Sequence, residues 1–385
     1  MIIINILYFI SGFMIFWAMI GYPVFLKILG KLSKKENKVD LNYHPTVTLM
    51  IVAHNEEKVI ENKLMNAISL DYDPEKYKIL VTSDNSTDKT NLIVKNFILS
   101  HPKSNLQLYE VKNRLGKTNA QNEAQKIIES EIIVMTDANA ILEKDSIKKL
   151  VSSFSDQNIA YVSGILKYTN EENNTAESES NYWDSDISMR LIESRIQCIT
   201  AGNGALYACR NSDYVDFPPI ECHDSSMPFY YATHGKRAIC NKNAIAFEKA
   251  GEVDSDEFKR KVRMNRIILK SIFNTFKILN IFKYKWFTIF YFGHRTSRYL
   301  LWLNHILFFI MNAFNFKLNM FFYITFIIQV VIYIILLSSV IFNIDNKIFR
   351  LIKYYFMTVY AQIVGIYNIL FGKIGATWEK AESTR

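Results

Sequence analysis

The sequence predicts an α/β protein in which a doubly wound, mostly parallel sheet is flanked by membrane segments. Between Pro45 and about Asn280, apolar β-branched runs alternate with amphipathic stretches, which is the rhythm of βαβ units with right-handed crossovers. Apolar residues run almost unbroken from Ile2 to about Leu29, and a second apolar region starts near Tyr299. These regions predict one N-terminal and two to three C-terminal transmembrane helices.

The alternation begins with a clear series of strands and helices. The predicted strands are Val47–Ala53, Tyr77–Ser83, Leu106–Val111 and Ile132–Thr136, and the predicted helices are His54–Leu70, Asp88–Leu99 and Lys117–Glu129. Farther along, the polar stretch Glu171–Ser180 predicts a mobile loop. The basic and aromatic stretch Arg266–Phe292 has apolar residues at helical spacing, so it lies either along a membrane surface or against the core.

The N-terminal apolar run is interpreted as an anchor that stays in place. No positively charged segment precedes it and no small-residue cleavage site follows it, which argues against a cleaved signal peptide. By the positive-inside rule the amino terminus then lies outside and the next domain lies in the cytoplasm. The lysines that support this orientation follow the run: Lys27, Lys31, Lys34, Lys35 and Lys38.

The C-terminal apolar region is predicted to contain a hairpin of two spans, Leu300–Phe314 and Met320–Phe342. After the charged linker Asp345–Lys353, Tyr354–Phe371 is either a third span or a re-entrant or surface-lying segment. We therefore expect a multi-pass protein of the cell membrane. The expected domain boundaries are 1–30 for the anchor, 31–265 for a cytoplasmic catalytic domain, 266–298 for an interfacial segment, 299–372 for the C-terminal membrane region and 373–385 for a tail.

The charge distribution argues against a nucleic-acid-binding protein, and the cysteine spacing indicates free thiols. The 385-residue chain has a formal net charge of +8, and much of the excess lies beside the apolar segments, which suits anionic lipid headgroups better than nucleic acid. Acidic clusters in the central region also argue against a nucleic-acid track. The four cysteines show no C-x-x-C spacing, so we expect free thiols in a reducing cytoplasm.

Three acidic clusters carry the functional signal. Asp84 and Asp137 each follow an apolar predicted strand, and His223-Asp224 comes later. Ligands of open α/β sheets bind at the carboxyl ends of the strands, where these carboxylates are placed. Asp84 could accept hydrogen bonds from a base or ribose. Taken alone, it is also an ordinary turn residue, and Asn55-Glu56 could simply cap a helix.

The segment Asp137-Ala138-Asn139 is more informative. Its alternating side chains place both polar groups on one face just past a buried strand, where a divalent cation with a bound diphosphate needs oxygen ligands. The cations of Arg114-Leu115-Gly116-Lys117 precede a helix, which is a suitable place for phosphate. Together these clusters predict a site for a nucleotide, a divalent cation and a catalytic base.

In that order, the motifs resemble those of family 2 glycosyltransferases, most closely the membrane-bound bacterial enzymes related to cellulose and poly-N-acetylglucosamine synthases that make capsules and exopolysaccharides. The resemblance covers nearly the whole chain and implies the GT-A type of Rossmann-like fold. The segments that carry it are Ala53–Glu57, Asp84–Asp88, Gly116–Ala120, Asp137–Asn139, Gly202–Ala208, Asp224, Arg260–Met264 and the tail Gly375-Ala376-Thr377-Trp378-Glu379 with Arg385.

The resemblance also implies residue roles. Asp224 would be the catalytic base, and Mg²⁺ or Mn²⁺ would be held by Asp137 and Asn139. The nucleotide-sugar site would comprise Ala53, Asn55, Glu56, Asp84, Arg114, Lys117 and Asp137, and the acceptor or diphosphate site Gly202, Asn203, Gly204, Arg260 and Arg263. Trp183 and Glu193 would line the acceptor path or pack in the core.

The chain departs from the family pattern at three places. Asn139 replaces the second carboxylate of D-x-D, His223 replaces an acidic residue before Asp224, and Met264 stands where processive members carry a tryptophan that stacks on the acceptor sugar. Histidine at position 223 removes a negative charge from beside Asp224, which is expected to lower the pKa of Asp224.

The function implied is inverting transfer of a sugar from a nucleotide donor to a lipid-linked or surface-glycan acceptor. The expected donor is a UDP-sugar. The alternatives are a processive polysaccharide synthase and a catalytically inactive sugar-nucleotide-binding subunit of a synthase complex. Expected partners are the donor, the acceptor, membrane lipids and other polysaccharide-synthesis proteins, with no nucleic acid.

Overall fold

The structure is a computed structural model that describes residues 1–169, 174–250, 254–342 and 347–377. The chain divides into two compact units. The first unit comprises Met1–Leu29 and Asp254–Lys373, and the second unit comprises Gly30–Val253 and Ile374–Arg385.

One sheet organises the second unit. Its strands are β1 (Val47–Ala53), β2 (Tyr77–Ser83), β3 (Leu106–Glu110), β4 (Ile132–Asp137), β5 (Ile141–Leu142), β6 (Ile159–Tyr168), β7 (Tyr207–Arg210) and β8 (Arg237–Glu248).

The helices follow in chain order. They are α1 (Ile2–Phe16), α2 (Tyr22–Leu32), α3 (Ile60–Ile68), α4 (Thr90–Ser100), α5 (Lys117–Gln125), α6 (Ser146–Val151), α7 (Asn174–Ile196), α8 (His223–Thr233), α9 (Asp254–Met264), α10 (Ile268–Lys277), α11 (Ile281–Tyr284), α12 (Trp286–Tyr291), α13 (Ser297–Tyr299), α14 (Leu301–Asn315), α15 (Met320–Ile341) and α16 (Lys347–Leu370). Short 3₁₀ or π segments lie at Trp17–Gly21, Ser152–Ser155, Asn211–Asp213, Asn265–Ile267 and Phe292–Thr296.

The sheet has the order β3-β2-β1-β4-β7-β6-β8-β5. The pairs within β3-β2-β1-β4 are parallel, so this half of the expected sheet is confirmed. The other half is mixed, because β7 is antiparallel to both β4 and β6, and β5 is antiparallel to β8. The β6–β8 pair is parallel. The local alternation of apolar and amphipathic segments did not reveal these antiparallel pairings.

Two apolar layers cover the two faces of the sheet. Leu49 and Ile51 of β1 belong to a core that includes buried residues of α3, α4 and α6. Met50 and Val52 point the other way, into a core that includes Ala120 of α5 and residues of α8. Alternate residues of the same strand thus enter opposite layers, as period-two side-chain geometry requires, and the sheet is doubly wound.

Several predicted bounds are wrong. α3 begins at Ile60 rather than His54, because Asn55 adopts a left-handed conformation (φ 55°) inside a turn. The predicted loop Glu171–Ser180 is helical from Asn174 onward, and residues 171–173 lie outside the described part. The stretch Arg266–Phe292 is several short helices instead of one, with breaks at Asn280 and at Lys285, which has φ 54°.

In the first unit, α1 packs against α14 and α15. The Tyr8 hydroxyl donates to Thr325 Oγ1 (2.9 Å), and the Tyr8 ring stacks on Phe308 at 4.8 Å. Within the described residues, two helical stretches, Ile2–Leu32 and Met320–Ser338, are long and apolar enough to cross a membrane. Many of their large apolar side chains, such as Phe9 and Ile328, are exposed.

The number of C-terminal helices that cross the membrane stays a prediction. α14 has 15 residues, which is short for a full crossing. α16 has 24 residues but starts with a charged turn, and it includes Lys347–Lys353, which the sequence predicted to be a linker. The rest of that linker, residues 345–346, lies outside the described part, as do the tail residues Trp378, Glu379 and Arg385.

Candidate active site

The polar sequence clusters come together at the carboxyl edge of the parallel strands. β1 lies between β2 and β4, and the order of strands along the chain reverses at the β1–β4 pair. In the strand register, Ala53 is opposite Ser83 and Val52 is opposite Asp137. The residues that follow these strands therefore face one crevice, where doubly wound sheets bind their ligands.

Asp84 is held at the end of β2 by backbone N–H groups. It is 3% exposed, its Oδ2 accepts from Gly116 N (3.0 Å), and its Oδ1 accepts from Leu115 N (3.3 Å). Burial raises the pKa of Asp84, and these two N–H groups, with the nearby charges of His54 and Arg114, partly offset the rise. The carboxylate thus closes the loop after β3 onto the end of β2.

Gly116 is required by this loop. Its φ of +96° is unfavourable for any residue with a Cβ, and a Cβ there would come within 2.6 Å of the Ala376 carbonyl oxygen. Ala376 therefore lies against this turn.

The turn after β1 is bound to the turn after β2. Asn55 Oδ1 accepts from Thr87 N (2.8 Å), and Asn55 N donates to Ser86 Oγ (3.1 Å). Glu56 is buried, and its N–H donates to Thr90 Oγ1 (2.8 Å). Asn55 and Glu56 thus join two loops instead of capping α3.

Lys117 connects the acidic groups. Its Nζ forms an ion pair with Asp137 Oδ1. Burial alone would lower the pKa of Lys117, but the negative charges of Asp137 and Asp224 outweigh this and raise it. Lys117 is the first residue of α5, immediately after the turn that Asp84 holds, so the three predicted acids surround a single helix start.

The glycine-rich segment after α7 approaches this pair. A Cβ on Gly204 would lie 3.0 Å from Asp137 Oδ2 and 3.2 Å from Lys117 Nζ. Gly202 N donates to the backbone carbonyl of Asp224 (2.8 Å). Without a Cβ, Gly204 lets the backbone come close to Asp137 and Lys117, and Gly202 lies where a Cβ would meet the Tyr161 hydroxyl.

Asn203 and Asp224 differ in how they are held. The Asn203 amide donates to Gly164 O (2.8 Å) and Ser163 Oγ (3.2 Å), and its Oδ1 accepts from Leu206 N (3.2 Å), so its side chain braces the segment. Asp224 lies in the first turn of α8, where the helix dipole favours a carboxylate.

His223 faces the protein interior. It is 0% exposed, and its ring nitrogens contact Tyr214 Oη (2.9 Å) and Gln121 Oε1 (3.0 Å). Burial, together with the charge of Lys117, lowers its pKa to about 3. The imidazole is therefore neutral at physiological pH, and it ties the start of α8 to α5.

The predicted arginines lie on the loop before α5 and on α9. Arg114 is exposed on the loop before α5. Arg260 and Arg263 belong to α9 in the first unit, where Arg260 Nε pairs with Glu257 Oε2 at 2.7 Å. Their role at the diphosphate stays a prediction.

The two residues of α7 considered for the acceptor path stay open as well. Glu193 is buried, and the side chain of Trp183 lies outside the described part.

The donor set suits a shared cation better than a closed metal cage. In the described part of the chain, no group of three or more His, Cys, Asp or Glu side chains is placed to hold a metal. Asp137 and Asn139 supply one carboxylate and one amide oxygen at the end of β4. Mg²⁺ is commonly bound by one or two carboxylates together with substrate phosphates, so these residues fit a cation that arrives with a diphosphate.

Several residues in this region were not predicted. Tyr161 is fully buried, and its hydroxyl donates to Asp224 O (3.3 Å). Gln121 links His223 to Tyr207, and Lys63 is buried beneath the Asp137 turn. Only Lys63 left a sequence signal, because it interrupts the apolar stripe of α3 formed by Ile60, Leu64 and Ala67.

Parts of the chain are similar in sequence to known proteins. The chain is 28% identical over 161 residues to a beta-monoglucosyldiacylglycerol synthase from Synechocystis, which covers 40% of this chain and 34% of that protein. It is 21% identical over 285 residues to a poly-beta-1,6-N-acetyl-D-glucosamine synthase from Staphylococcus aureus, which covers 71% of this chain and 68% of that protein. The chain thus spans about a third (34%) of the length of the first relative.

A solved structure shares the fold. It is a mannosyltransferase from Pyrobaculum calidifontis in complex with GDP-Man and Mn²⁺, with a TM-score of 0.73 at 20% identity, and the match covers 95% of this chain and 99% of that chain. At this identity the likeness concerns the fold, which is of the GT-A type with a mixed sheet.

The sequence profile described as glycosyl transferase family 2 matches residues 48–212, which include the turns after β1, β2 and β4 and the glycine-rich segment. The resemblance to this family, including its polysaccharide synthases, is confirmed. Residues 48–212 therefore form a family 2 glycosyltransferase domain.

Proposed function

We propose that this protein is a membrane-anchored, inverting glycosyltransferase that moves a sugar from a nucleotide donor to a lipid-linked or surface-glycan acceptor. The observation that carries the proposal is the arrangement around Lys117. This lysine pairs with Asp137, its pKa responds to the charge of Asp224, and the turn before it is held by Asp84. The Asp137 carboxylate thus pairs with the Lys117 ammonium group, and the charge of Asp224 acts on the same group.

The donor side would recognise the nucleotide through the turns after β1 and β2. Asn55 and Glu56 hold these turns together, and Asp84 lies between them and the Gly116 turn. The N-terminus of α5, with Lys117 at its first position, offers backbone N–H groups and a positive charge to a diphosphate. Asp137 and Asn139 would hold Mg²⁺ or Mn²⁺ against the same diphosphate. The cation supplies charge neutralisation for the leaving group.

On the acceptor side, Asp224 is the base. It takes the proton from an acceptor hydroxyl as that oxygen attacks the anomeric carbon, while the bond to the diphosphate breaks on the opposite face. Attack from the face opposite the leaving group inverts the anomeric configuration. Lys117 stabilises the negative charge that builds up on the leaving diphosphate. Arg260 and Arg263 are proposed to assist it.

The apolar helices support the anchor. α1 and α15 expose large apolar side chains, which lipid would cover. Lysines follow the first helix, so the catalytic domain would face the cytoplasm. The names of two relatives, a glycolipid synthase and a poly-N-acetylglucosamine synthase, support a lipid-linked or glycan acceptor, with membrane lipids and other polysaccharide-synthesis proteins as partners.

A processive synthase is the second candidate. The relative that makes poly-N-acetylglucosamine aligns with 71% of this chain, which favours it. Met264 stands where the motif of processive members has tryptophan, and it lacks an aromatic face for the acceptor sugar. We therefore favour the addition of single residues.

The test is a screen of UDP- and GDP-sugars with detergent-solubilised full-length protein, membrane lipid extract as the acceptor source, and release of the nucleoside diphosphate as the readout. The Asp224→Asn protein is the matched control. We expect release with one donor class only and none from the variant. Equal release from both proteins, or none from either with every donor, would refute the proposal. The length of the product separates single transfer from processive synthesis.

A further inference from the structure

Lys63 is a lysine in the hydrophobic core. It is 0% exposed and lies on the buried stripe of α3 with Ile60, Leu64 and Ala67. Burial lowers its pKa to about 7, against the opposing influence of the charges of Asp137 and Glu248. An amine that only filled space would be less favourable here than a hydrocarbon side chain, since a buried charge has to be desolvated.

The contacts of Lys63 all lead to the Asp137 turn. Its Nζ donates to Thr136 Oγ1 (3.0 Å) and to the carbonyl of Ala140. Thr136 and Ala140 flank Asp137-Ala138-Asn139 on either side, so one ammonium group holds both ends of the segment. A methylene chain could not make either bond.

The same network reaches the glycine-rich segment. Thr136 Oγ1, which accepts from Lys63, donates to the carbonyl of Ala205 (2.7 Å). Ala205 follows Gly204, whose Cα lies beside Asp137 and Lys117. Lys63 thus acts on the donor-side turn directly and on the glycine-rich segment through one hydroxyl.

We propose that Lys63 is a positioning residue that clamps the Thr136–Ala140 turn, so that Asp137 and Asn139 are held in the geometry that binds the donor diphosphate and its cation. This inference rests on the proposed function. Lys63 touches neither the sugar nor the nucleotide.

The matched control is Asn66, one turn later on the same helix. Its side chain bonds both the N–H and the carbonyl of Leu142 in β5 (2.9 Å each), just beyond the Thr136–Ala140 turn. Asn66→Ala therefore loosens α3 from the neighbouring strand without touching the clamp. Lys63→Met removes the clamp and keeps an unbranched side chain that is one heavy atom shorter.

The experiment is calorimetric titration of full-length solubilised protein with UDP and with GDP in the presence of Mg²⁺, together with thermal unfolding and donor KM and kcat. We expect both variants to lower Tm. Lys63→Met should raise the nucleotide Kd and donor KM by about 10-fold or more, with a smaller change in kcat, as losses of supporting contacts around a cation site usually do. Asn66→Ala should change Kd by about twofold or less.

Equal changes of Kd in the two variants would overturn the inference, since both would then report only loss of stability. If Lys63→Met yields no folded protein, Thr136→Val decides. A Kd raised about threefold or more above that of Asn66→Ala supports the clamp, and an unchanged Kd overturns it. If the unchanged protein binds neither nucleotide, the proposed function fails and the role of Lys63 fails with it. If the unchanged protein binds a nucleotide and Lys63→Met binds it with the same Kd, only the clamp is refuted.

Discussion

The proposed site has two parts that are held in different ways. The donor half contains Asp84 and Asp137, which are proposed to serve the nucleotide sugar, and the acceptor half contains Asp224, the proposed base. On the donor half, the carboxylates themselves are bonded, since Asp84 accepts two backbone N–H groups and Asp137 pairs with Lys117. On the acceptor half, Asp224 is held through its backbone carbonyl, which accepts from Gly202 N and Tyr161 Oη.

This difference separates binding from chemistry. Acids of the donor half shape the loops that would bind the nucleotide, so changing them disturbs the pocket. The hydrogen bonds from Gly202 and Tyr161 reach the main chain of Asp224, so they are kept when its carboxylate is replaced by an amide. The comparison predicts that donor-half variants lose affinity and that acceptor-half variants lose turnover.

The largest effect is expected for Asp224→Asn. An amide cannot accept the acceptor proton, so we expect turnover to fall by about 10³-fold, within the range for loss of a general base. The Kd for UDP, measured by calorimetry, should stay within about twofold of that of the unchanged protein. A Kd raised as much as in a donor-half variant would remove the distinction between the halves.

Removal of the divalent cation should have the second-largest effect on turnover. With EDTA we expect turnover to fall by about 100-fold or more, because the leaving diphosphate would lose its counter-charge. Excess Mg²⁺ added back is the control and should restore the rate. Full activity in EDTA would exclude the cation and would leave Lys117 as the main positive charge of the donor half.

Asp137→Ala tests the donor half directly. Loss of this carboxylate leaves the Lys117 ammonium without its ion-pair partner and removes the expected cation ligand. We expect the Kd for UDP with Mg²⁺ to rise by about 10- to 100-fold. A calorimetric titration without Mg²⁺ is the control, since the two proteins should differ less there. The same Kd for both proteins in Mg²⁺ would contradict the assignment.

The smallest effect concerns pH. Because burial raises the pKa of Asp84 in the folded protein, its ionised form is less favourable folded than unfolded. Relative to Asp84→Asn, the unchanged protein should therefore gain stability as pH falls through this raised pKa, and the gain should be complete below the ordinary value of 3.8. We expect a shift on the order of a few °C in Tm between pH 7.5 and acid. A loss of stability relative to Asp84→Asn as pH falls would show that the N–H bonds lower the pKa of Asp84 more than burial raises it.

Local patterns predicted the parallel strands beside the proposed donor site well. The bounds of β1 and β2 are those expected from their apolar runs, because each strand is buried on both faces and ends at a polar turn. Asp84, Asp137 and Lys117 were predicted as site residues because carboxylates and cations after such strands are visible without knowledge of the pairing, and their roles stay predictions.

Features that depend on distant partners were missed. α3 starts late because Asn55 is held by Thr87, 32 residues away. His223 was predicted only to remove a negative charge beside Asp224. Its burial between Gln121 and Tyr214, which keeps it neutral, depends on tertiary contacts and was not predicted. The antiparallel insertion of β7 between β4 and β6 has no local sequence mark, because it depends on which strand edges are left unpaired.

From its residue order alone, this chain specifies an α/β domain, apolar helices long enough for a bilayer, and the acids that would serve a sugar nucleotide. Those features follow from periodicity and from the chemistry of each side chain, which act over a few residues. Only the tertiary structure revealed that Lys117 pairs with Asp137 within the influence of the Asp224 charge, and that Lys63 lies beneath the Asp137 turn. Such contacts link residues far apart in the chain, and their energies depend on burial, which no local pattern records.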